Sequence, residues 1–188
     1  MKLQDFIPQG ILPDPEDDAI ALLRADHDRV EDLFSTYEEI KYGRADDDKR
    51  RLVAEICQTL RTHALLEEEF FYPAVQAEIA DDDLMNEAKV EHDGIERLVS
   101  ELETMDASDE MMNAKMHVLD AYITHHVREE EENIFPKARE SGIDMASLAE
   151  KMGRRRNKLL QDGSGPPEHR ASSRKPRARS PNEPRVPR

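Results

Sequence analysis

Two stretches, HALLEEEFFYP at residues 63–73 and HVREEEENIFP at residues 126–136, decide the fold of this 188-residue chain. Each begins with a His, has Glu four, five and six residues later, an aromatic residue after nine and a proline after ten. DHDRVEDLF at 26–34 and EHDGIERLV at 91–99 match each other in the same way. The chain therefore contains a duplicated two-helix unit, and we expect its halves to close around a pseudo-twofold axis.

Apolar residues recur at helical spacing from residue 17 onward, and strand-like alternation is absent. This pattern predicts four long helices at 17–42, 47–80, 82–105 and 108–139. Their connections are short, so neighbouring helices must be antiparallel. We predict an all-α protein, an up-down-up-down four-helix bundle with a short C-terminal helix. The predicted organisation is an extended lead-in at 1–16, the bundle at 17–140, the short helix at 141–160 and a disordered basic Pro- and Arg-rich tail at 161–188.

Each predicted helix has an apolar core stripe with a polar interruption near its middle. In the second helix, for example, the stripe is predicted to run through Ile56, Leu60, His63, Glu67, Phe70 and Ala74. The interrupting residues of the four helices are His27, His63 with Glu67, His92, and His126 with Glu130. Counted from the turns, these residues fall at similar depths in the bundle, within about one helical turn. We therefore expect them to meet in the core.

The converging set of four imidazoles and two carboxylates predicts a metal site. Residues four apart share a helix face, so His63 with Glu67 and His126 with Glu130 can each hold the same ion. If both glutamates bridge, two metals each receive two nitrogens and two oxygens, and a further bridge leaves a place for a small ligand. Mixed imidazole and carboxylate ligands favour iron or manganese, with zinc also open. His125 has Glu129 at the same spacing and is the second choice for His126.

These motifs resemble the hemerythrin family in its bacterial HHE cation-binding form, over roughly residues 17–140. The resemblance implies two iron ions with an oxo or hydroxo bridge, ahead of manganese or zinc. The metal ligands that the resemblance implies are His27, His63, Glu67, His92, His126 and Glu130. Oxygen carriers of the family have a second His where this chain has Glu96, and a fourth-helix carboxylate one residue later, at Glu131. Glu96 and its repeat counterpart Glu31 are additional candidates, as ligands or as partners of imidazole N–H groups.

The resemblance implies a non-haem di-iron protein that binds O₂ or iron, for oxygen or iron sensing, storage or protection. The alternative is a di-iron enzyme that handles peroxide or nitric oxide, suggested by Glu96 in place of His. The expected partner is O₂, another diatomic molecule or peroxide. A binding protein is favoured over an enzyme, although the sequence leaves the question open. A metal-free interaction bundle is the third hypothesis.

Charge is divided unevenly along the chain, whose net charge is −15. Residues 1–150 carry 15 basic and 39 acidic side chains, and residues 151–188 carry 12 basic and 3 acidic ones. The acidic part repels nucleic acid, so only the tail could contact a polyanion. Solvated disorder is the favoured interpretation of the tail, and contact with the acidic bundle or with an anionic partner such as nucleic acid or a membrane surface are the alternatives. With one Cys, no long apolar run and no signal-peptide pattern, we expect a cytoplasmic protein without a membrane span.

Overall fold

The computed structural model describes residues 18–43, 46–79 and 81–161. The predicted lead-in at 1–16 and, from residue 162 onward, the predicted tail lie outside the described residues. The helices are α1 (Ala19–Ile40), α2 (Asp46–Leu66), α3 (Tyr72–Glu78), α4 (Asp82–Thr104), α5 (Met112–Glu129), α6 (Phe135–Glu140) and α7 (Met145–Gln161). Two π-helical turns, Glu67–Phe71 and Glu130–Ile134, join α2 to α3 and α5 to α6.

The predicted all-α bundle is confirmed, and the described residues contain no strand. Helix α1, the continuous rod from α2 to α3, helix α4 and the rod from α5 to α6 are the four members of the bundle. Helix α1 packs on α2, and α4 packs on α5, as the duplicated two-helix unit requires. Within the described ranges, no helix is both long and apolar enough to cross a membrane.

The core consists of two apolar clusters that lie on either side of a polar layer. Along α1, Ile20 and Leu23 belong to one cluster and Val30 to the other. Along α4, Ala88 belongs to the cluster of Ile20 and Leu23, and Ile95 belongs to the cluster of Val30. His27 and His92 occupy the gap in their helices, as the interrupted core stripes predicted. The two apolar clusters thus cover the layer on two sides.

The π-helical turns correct the predicted stripe beyond Glu67. Phe70 and Ala74 are only partly buried, whereas Phe71, Tyr72 and Val75 are buried. A π turn holds one residue more than an α turn and therefore rotates the following residues around the helix axis. A strict α-helical spacing misses this rotation. The same turn after Glu130 buries Ile134 and Phe135 in the second half.

The fourth bundle helix also begins later than residue 108, at Met112. Asp106 accepts a hydrogen bond from the backbone N–H of Ser108 at 3.2 Å, and Asp109 accepts one from that of Met111 at 2.8 Å. Such side-chain contacts to nearby backbone stabilise turns in competition with helix. The stretch before Met112 therefore consists of turns.

Helix α7 packs across one end of the bundle, against α1, α2 and the first π-helical turn. Its apolar face buries Leu148, Ala149 and Met152 in the cluster that also holds Ile20 and Leu23. Spacing of three and four residues puts these side chains on one face of the helix. The position of α7 brings its basic C-terminal half beside the polar layer.

Candidate metal centre

The polar layer contains all six residues that the sequence analysis ranked first as ligands. Each is at most 9% exposed, and both glutamates are fully buried. They form two groups whose possible ligand atoms lie within 4.8 Å of one another. The first cluster is His27, His63, Glu67 and Glu130, and the second cluster is Glu67, His92 and His126.

Glu67 belongs to both clusters and divides its two oxygens between them. Its Oε1 lies 3.1 Å from Nε2 of His63, and its Oε2 lies 3.3 Å from Nε2 of His92. A carboxylate in this position can contact an ion in each cluster. Glu67 therefore has the arrangement of a bridging ligand.

Glu130 also lies between the two halves. Its Oε2 lies 3.2 Å from Nε2 of His27 and 3.6 Å from Nε2 of His126. Its Oε1 accepts a hydrogen bond of 2.9 Å from the hydroxyl of Tyr72. The bond from Tyr72 leaves Oε2 as the oxygen that faces the imidazoles.

Each of the four imidazoles has its outer nitrogen, Nδ1, against a carboxylate. The pairs are His27 with Glu131 at 3.3 Å, His63 with Asp26 at 3.3 Å, His92 with Glu68 at 3.0 Å and His126 with Glu91 at 2.8 Å. An ionised carboxylate can only accept, so Nδ1–H is the donor and Nε2 is available as a ligand. Metal-binding histidines are commonly oriented in this way.

These carboxylate partners follow the internal repeat. Asp26 and Glu91 directly precede His27 and His92, and each pairs with the His of the adjacent helix in its own half. Glu68 and Glu131 directly follow the two central glutamates. Asp26, Glu68 and Glu91 were not identified as partners from sequence, although the matching motifs on both halves contained the signal.

Several buried atoms of the layer lack a hydrogen-bond partner among the described residues. They are Nε2 of His27, both carboxylate oxygens of Glu67, and Oε2 of Glu130. In addition, Nε2 of His92 and Nε2 of His126 are only 3.2 Å apart. Buried polar atoms without partners are costly. Cations placed between these atoms would satisfy them, so the residues present fit a metal centre.

The additional candidates have different positions. Glu131 contacts the outer nitrogen of His27 and also Arg24, so it lies outside the ring of inward-facing atoms. Glu96 is exposed and binds Arg61 at 2.7 Å, and Glu31 is exposed. The side chain of His125 is 49% exposed and lies 3.0 Å from Glu91. Of these four, the structure brings only Glu131 next to a predicted ligand.

Tyr72 makes the two halves unequal. Its hydroxyl lies 3.1 Å from Nε2 of His92 and 3.5 Å from Nε2 of His126. The repeat counterpart, Phe135, stacks on His27 with ring centroids 5.8 Å apart and carries no hydroxyl. The second cluster therefore has a phenol at its edge and the first has an apolar ring. The repeated aromatic–proline pair could have revealed this difference from sequence.

The layer shifts the pKa values of its own members. Burial lowers the pKa of His92, but contacts with Glu67 and Glu68 outweigh burial and raise it to about 9. Burial likewise opposes charge on His63, yet Glu67 and Asp26 raise its pKa well above the usual value. Burial opposes ionisation of Glu67, but His63 and His92 hold its pKa well below the usual range. In the metal-free layer these shifts favour protonated His63 and His92 beside an ionised Glu67.

These shifts predict that metal binding releases protons. With its pKa raised to about 9, His92 is protonated at pH 7 in the metal-free protein, and the raised pKa of His63 favours its protonated form. Each proton must leave before the imidazole binds an ion, so we expect protons to be released when Zn²⁺ is titrated in at pH 7. Apparent affinity should rise with pH up to about 9, the pKa of His92. Calorimetric titration in buffers of different ionisation enthalpy measures the release, and a buffer-independent heat would contradict the prediction.

A cleft between α2 and α4 leads from the surface to the layer. Its volume is about 330 Å³, and it reaches the edges of His63, His92 and His126. Apolar side chains, including Leu60 and Val99, form part of its walls. At its rim Arg61 binds Glu96 and Glu103. The cleft gives a small molecule a direct approach to the second cluster.

The sequence model of the Hemerythrin HHE cation binding domain matches residues 18–138 of this chain. A solved structure, a Hemerythrin HHE cation binding domain-containing protein from Mycobacterium kansasii, has a similar fold. The two share 23% sequence identity with a TM-score of 0.63, over 78% of this chain and 91% of the other. Among curated proteins, no significant sequence match was found. The resemblance inferred from the motifs is confirmed.

Proposed function

Since the chain belongs to the hemerythrin HHE cation-binding domain family, we propose that it is a non-haem di-iron protein that binds O₂ or a related small ligand. The six proposed ligands are His27, His63, Glu67, His92, His126 and Glu130. The role is oxygen or iron sensing, storage or protection. Iron is proposed ahead of manganese or zinc.

One observation supports this proposal above the others: four buried imidazoles have Nδ1 against a carboxylate and Nε2 facing two buried glutamates. Nitrogen and carboxylate ligands without thiolate suit iron in a redox or oxygen-binding role. Glu67 contacts imidazoles of both clusters, which supports two ions with a shared ligand. An iron pair of this kind supplies reversible binding or reduction of O₂ and related molecules.

The residues around the layer would control access to it. The apolar clusters cover the layer on two sides, and the volume of the cleft between α2 and α4 is larger than a diatomic molecule or peroxide. Arg61 at the rim is paired with two glutamates, and Glu68 and Asp93 also line the cleft. This excess of acidic groups favours uncharged molecules over anions.

The second candidate function is an enzyme that handles peroxide or nitric oxide, and Tyr72 favours it. Its hydroxyl proton lies at the edge of the second cluster, donated to Glu130. Burial, together with the charges of Glu67 and Glu130, raises the pKa of Tyr72 well above its usual value. The phenol therefore stays protonated at neutral pH and can turn this hydrogen bond to a small ligand held at the second cluster.

The Tyr72→Phe variant tests the part that Tyr72 plays in the second function. If the protein turns over peroxide, we expect the iron-loaded variant to lose about 100-fold in rate, because removal of one positioned hydrogen-bond donor typically costs this much. Peroxide consumption at equal iron content measures the effect. Tyr122→Phe is the matched control, because Tyr122 is 47% exposed.

Reversible O₂ uptake by the reduced protein, without peroxide turnover above background, would support the binding function and exclude the enzyme. Irreversible oxidation at first contact with O₂ would exclude O₂ carriage. If peroxide turnover is unchanged in Tyr72→Phe, the hydrogen-bonding role of Tyr72 is wrong.

A further inference from the structure

Helix α7 places a guanidinium against the carboxylate that orients one imidazole of the first cluster. Nη2 of Arg156 donates a short hydrogen bond to Oδ2 of Asp26. The same oxygen accepts from Nδ1 of His63 at 3.3 Å. The side chains of Arg156 and Asp26 are 26% and 12% exposed, so solvent weakens this pairing only in part. A fixed positive charge thus acts on His63 through one intervening carboxylate.

The other half of the molecule lacks this arrangement. Glu91, the repeat counterpart of Asp26, accepts from Nδ1 of His126 at 2.8 Å. Its second oxygen lies 3.0 Å from Nε2 of His125, whose side chain is about half exposed. Among the described residues, no guanidinium or ammonium group pairs with Glu91. Both halves therefore have the carboxylate, but only Asp26 is paired directly with a permanently charged side chain.

The difference has a definite electronic consequence. A carboxylate that accepts Nδ1–H makes the imidazole a stronger donor to a metal through Nε2. A guanidinium on the same carboxylate oxygen withdraws part of that negative charge, so the effect of Asp26 on His63 is weakened. On the side of His126 the withdrawal is weaker, because the second oxygen of Glu91 contacts the His125 imidazole and not a guanidinium. Of two chemically similar imidazoles, His63 is therefore the weaker donor.

We propose that Arg156 is a positioning residue of α7 that acts through Asp26 on His63 and makes the two metal positions electronically unequal. The inference rests on the proposed di-iron function. It assigns a role to α7, the helix outside the four-helix bundle: its apolar face docks on the core, and its basic half adjusts the first metal position.

The test compares Arg156→Met with the unaltered full-length protein, both loaded with ⁵⁷Fe. Mössbauer spectra should contain two iron signals, and in Arg156→Met the quadrupole doublet of one iron should move while the other stays unchanged. In a competitive Zn²⁺ titration, one of the two dissociation constants should fall about tenfold, because Asp26 regains its full charge. Asp26→Asn should raise a dissociation constant by about 10–100-fold.

Two further variants serve as controls. Arg154→Gln removes a positive charge from the same helix, but Arg154 binds exposed Glu150, so both iron signals should stay unchanged. Arg156→Lys keeps the charge and should restore most of the unaltered spectrum. These comparisons separate the contact with Asp26 from a general change in surface charge.

The inference is overturned if neither doublet moves in Arg156→Met, or if both move equally. It is also overturned if the variant binds metal more weakly at both positions, because this outcome indicates a purely structural contact. Failure of the unaltered protein to bind two irons would instead contradict the proposed function itself. The two failures are therefore distinguishable.

Discussion

Replacing Glu67 by glutamine is expected to reduce the metal content from about two ions per chain to fewer than one. Both oxygens of Glu67 contact imidazoles, one in each cluster, so the substitution removes the proposed shared ligand. We expect the metal affinity to fall by at least about 100-fold. This loss is larger than the one expected for a residue that only hydrogen-bonds to a ligand, such as Asp26. Elemental analysis after loading and gel filtration measures the retained metal.

Glu87→Gln is the matched control for Glu67→Gln. Glu87 is an exposed glutamate on α4, so its variant should keep the full metal content. Circular dichroism establishes whether both variants remain helical. Full metal retention by folded Glu67→Gln would show that Glu67 is not a ligand, and the shared-carboxylate arrangement would be wrong.

Metal removal is expected to lower the Tm by about 10 °C or more. A ligand present at 1,000 times its Kd stabilises the folded state by about 4 kcal/mol, and each kcal/mol is about 2–4 °C for a chain of this size. Without cations, the buried oxygens of Glu67 and Glu130 are compensated only by nearby imidazoles and, for Glu130, by the hydrogen bond from Tyr72. Thermal melts of chelator-treated and reloaded protein measure the difference.

The difference in Tm should grow with pH. In the metal-free protein, the raised pKa of His92 contributes stability that is complete below its unfolded value of about 6.5 and is lost as pH rises through about 9. At low pH, protons also compete with the metal for the imidazole nitrogens, so the stability that metal binding adds increases toward pH 9. Equal Tm values of the metal-loaded and metal-free protein at pH 9 would contradict this prediction.

The fold could be predicted because the helical periodicity and the repeat both point to one topology. The six first-ranked candidates were found because they are the polar residues on otherwise apolar stripes, and a buried Glu67 or Glu130 requires a counter-charge. The internal repeat also distinguished His126 from His125, because His126 aligns with His63 in the repeat. In the structure, the side chain of His125 is half exposed. The structure brings these six residues together as the sequence predicted.

Other features could not be derived from periodicity alone. The π-helical turns after Glu67 and Glu130 depend on local backbone geometry, so the burial of Phe71 in place of Phe70 was missed. The partners of the Nδ1 atoms lie on different helices from their histidines, and an acidic residue beside a ligand is equally typical of a solvated surface. Arg156 reaches Asp26 across 130 residues of sequence, a contact that no local pattern encodes.

The most direct test of the account is the metal stoichiometry of the unaltered protein, measured by elemental analysis after anaerobic loading with Fe²⁺ and removal of excess metal. Two clusters that share Glu67 predict about two irons per chain, and about none in a variant that combines His63→Ala with His126→Ala. A folded, unaltered protein that retains no iron, or the same amount as this double variant, would contradict the account.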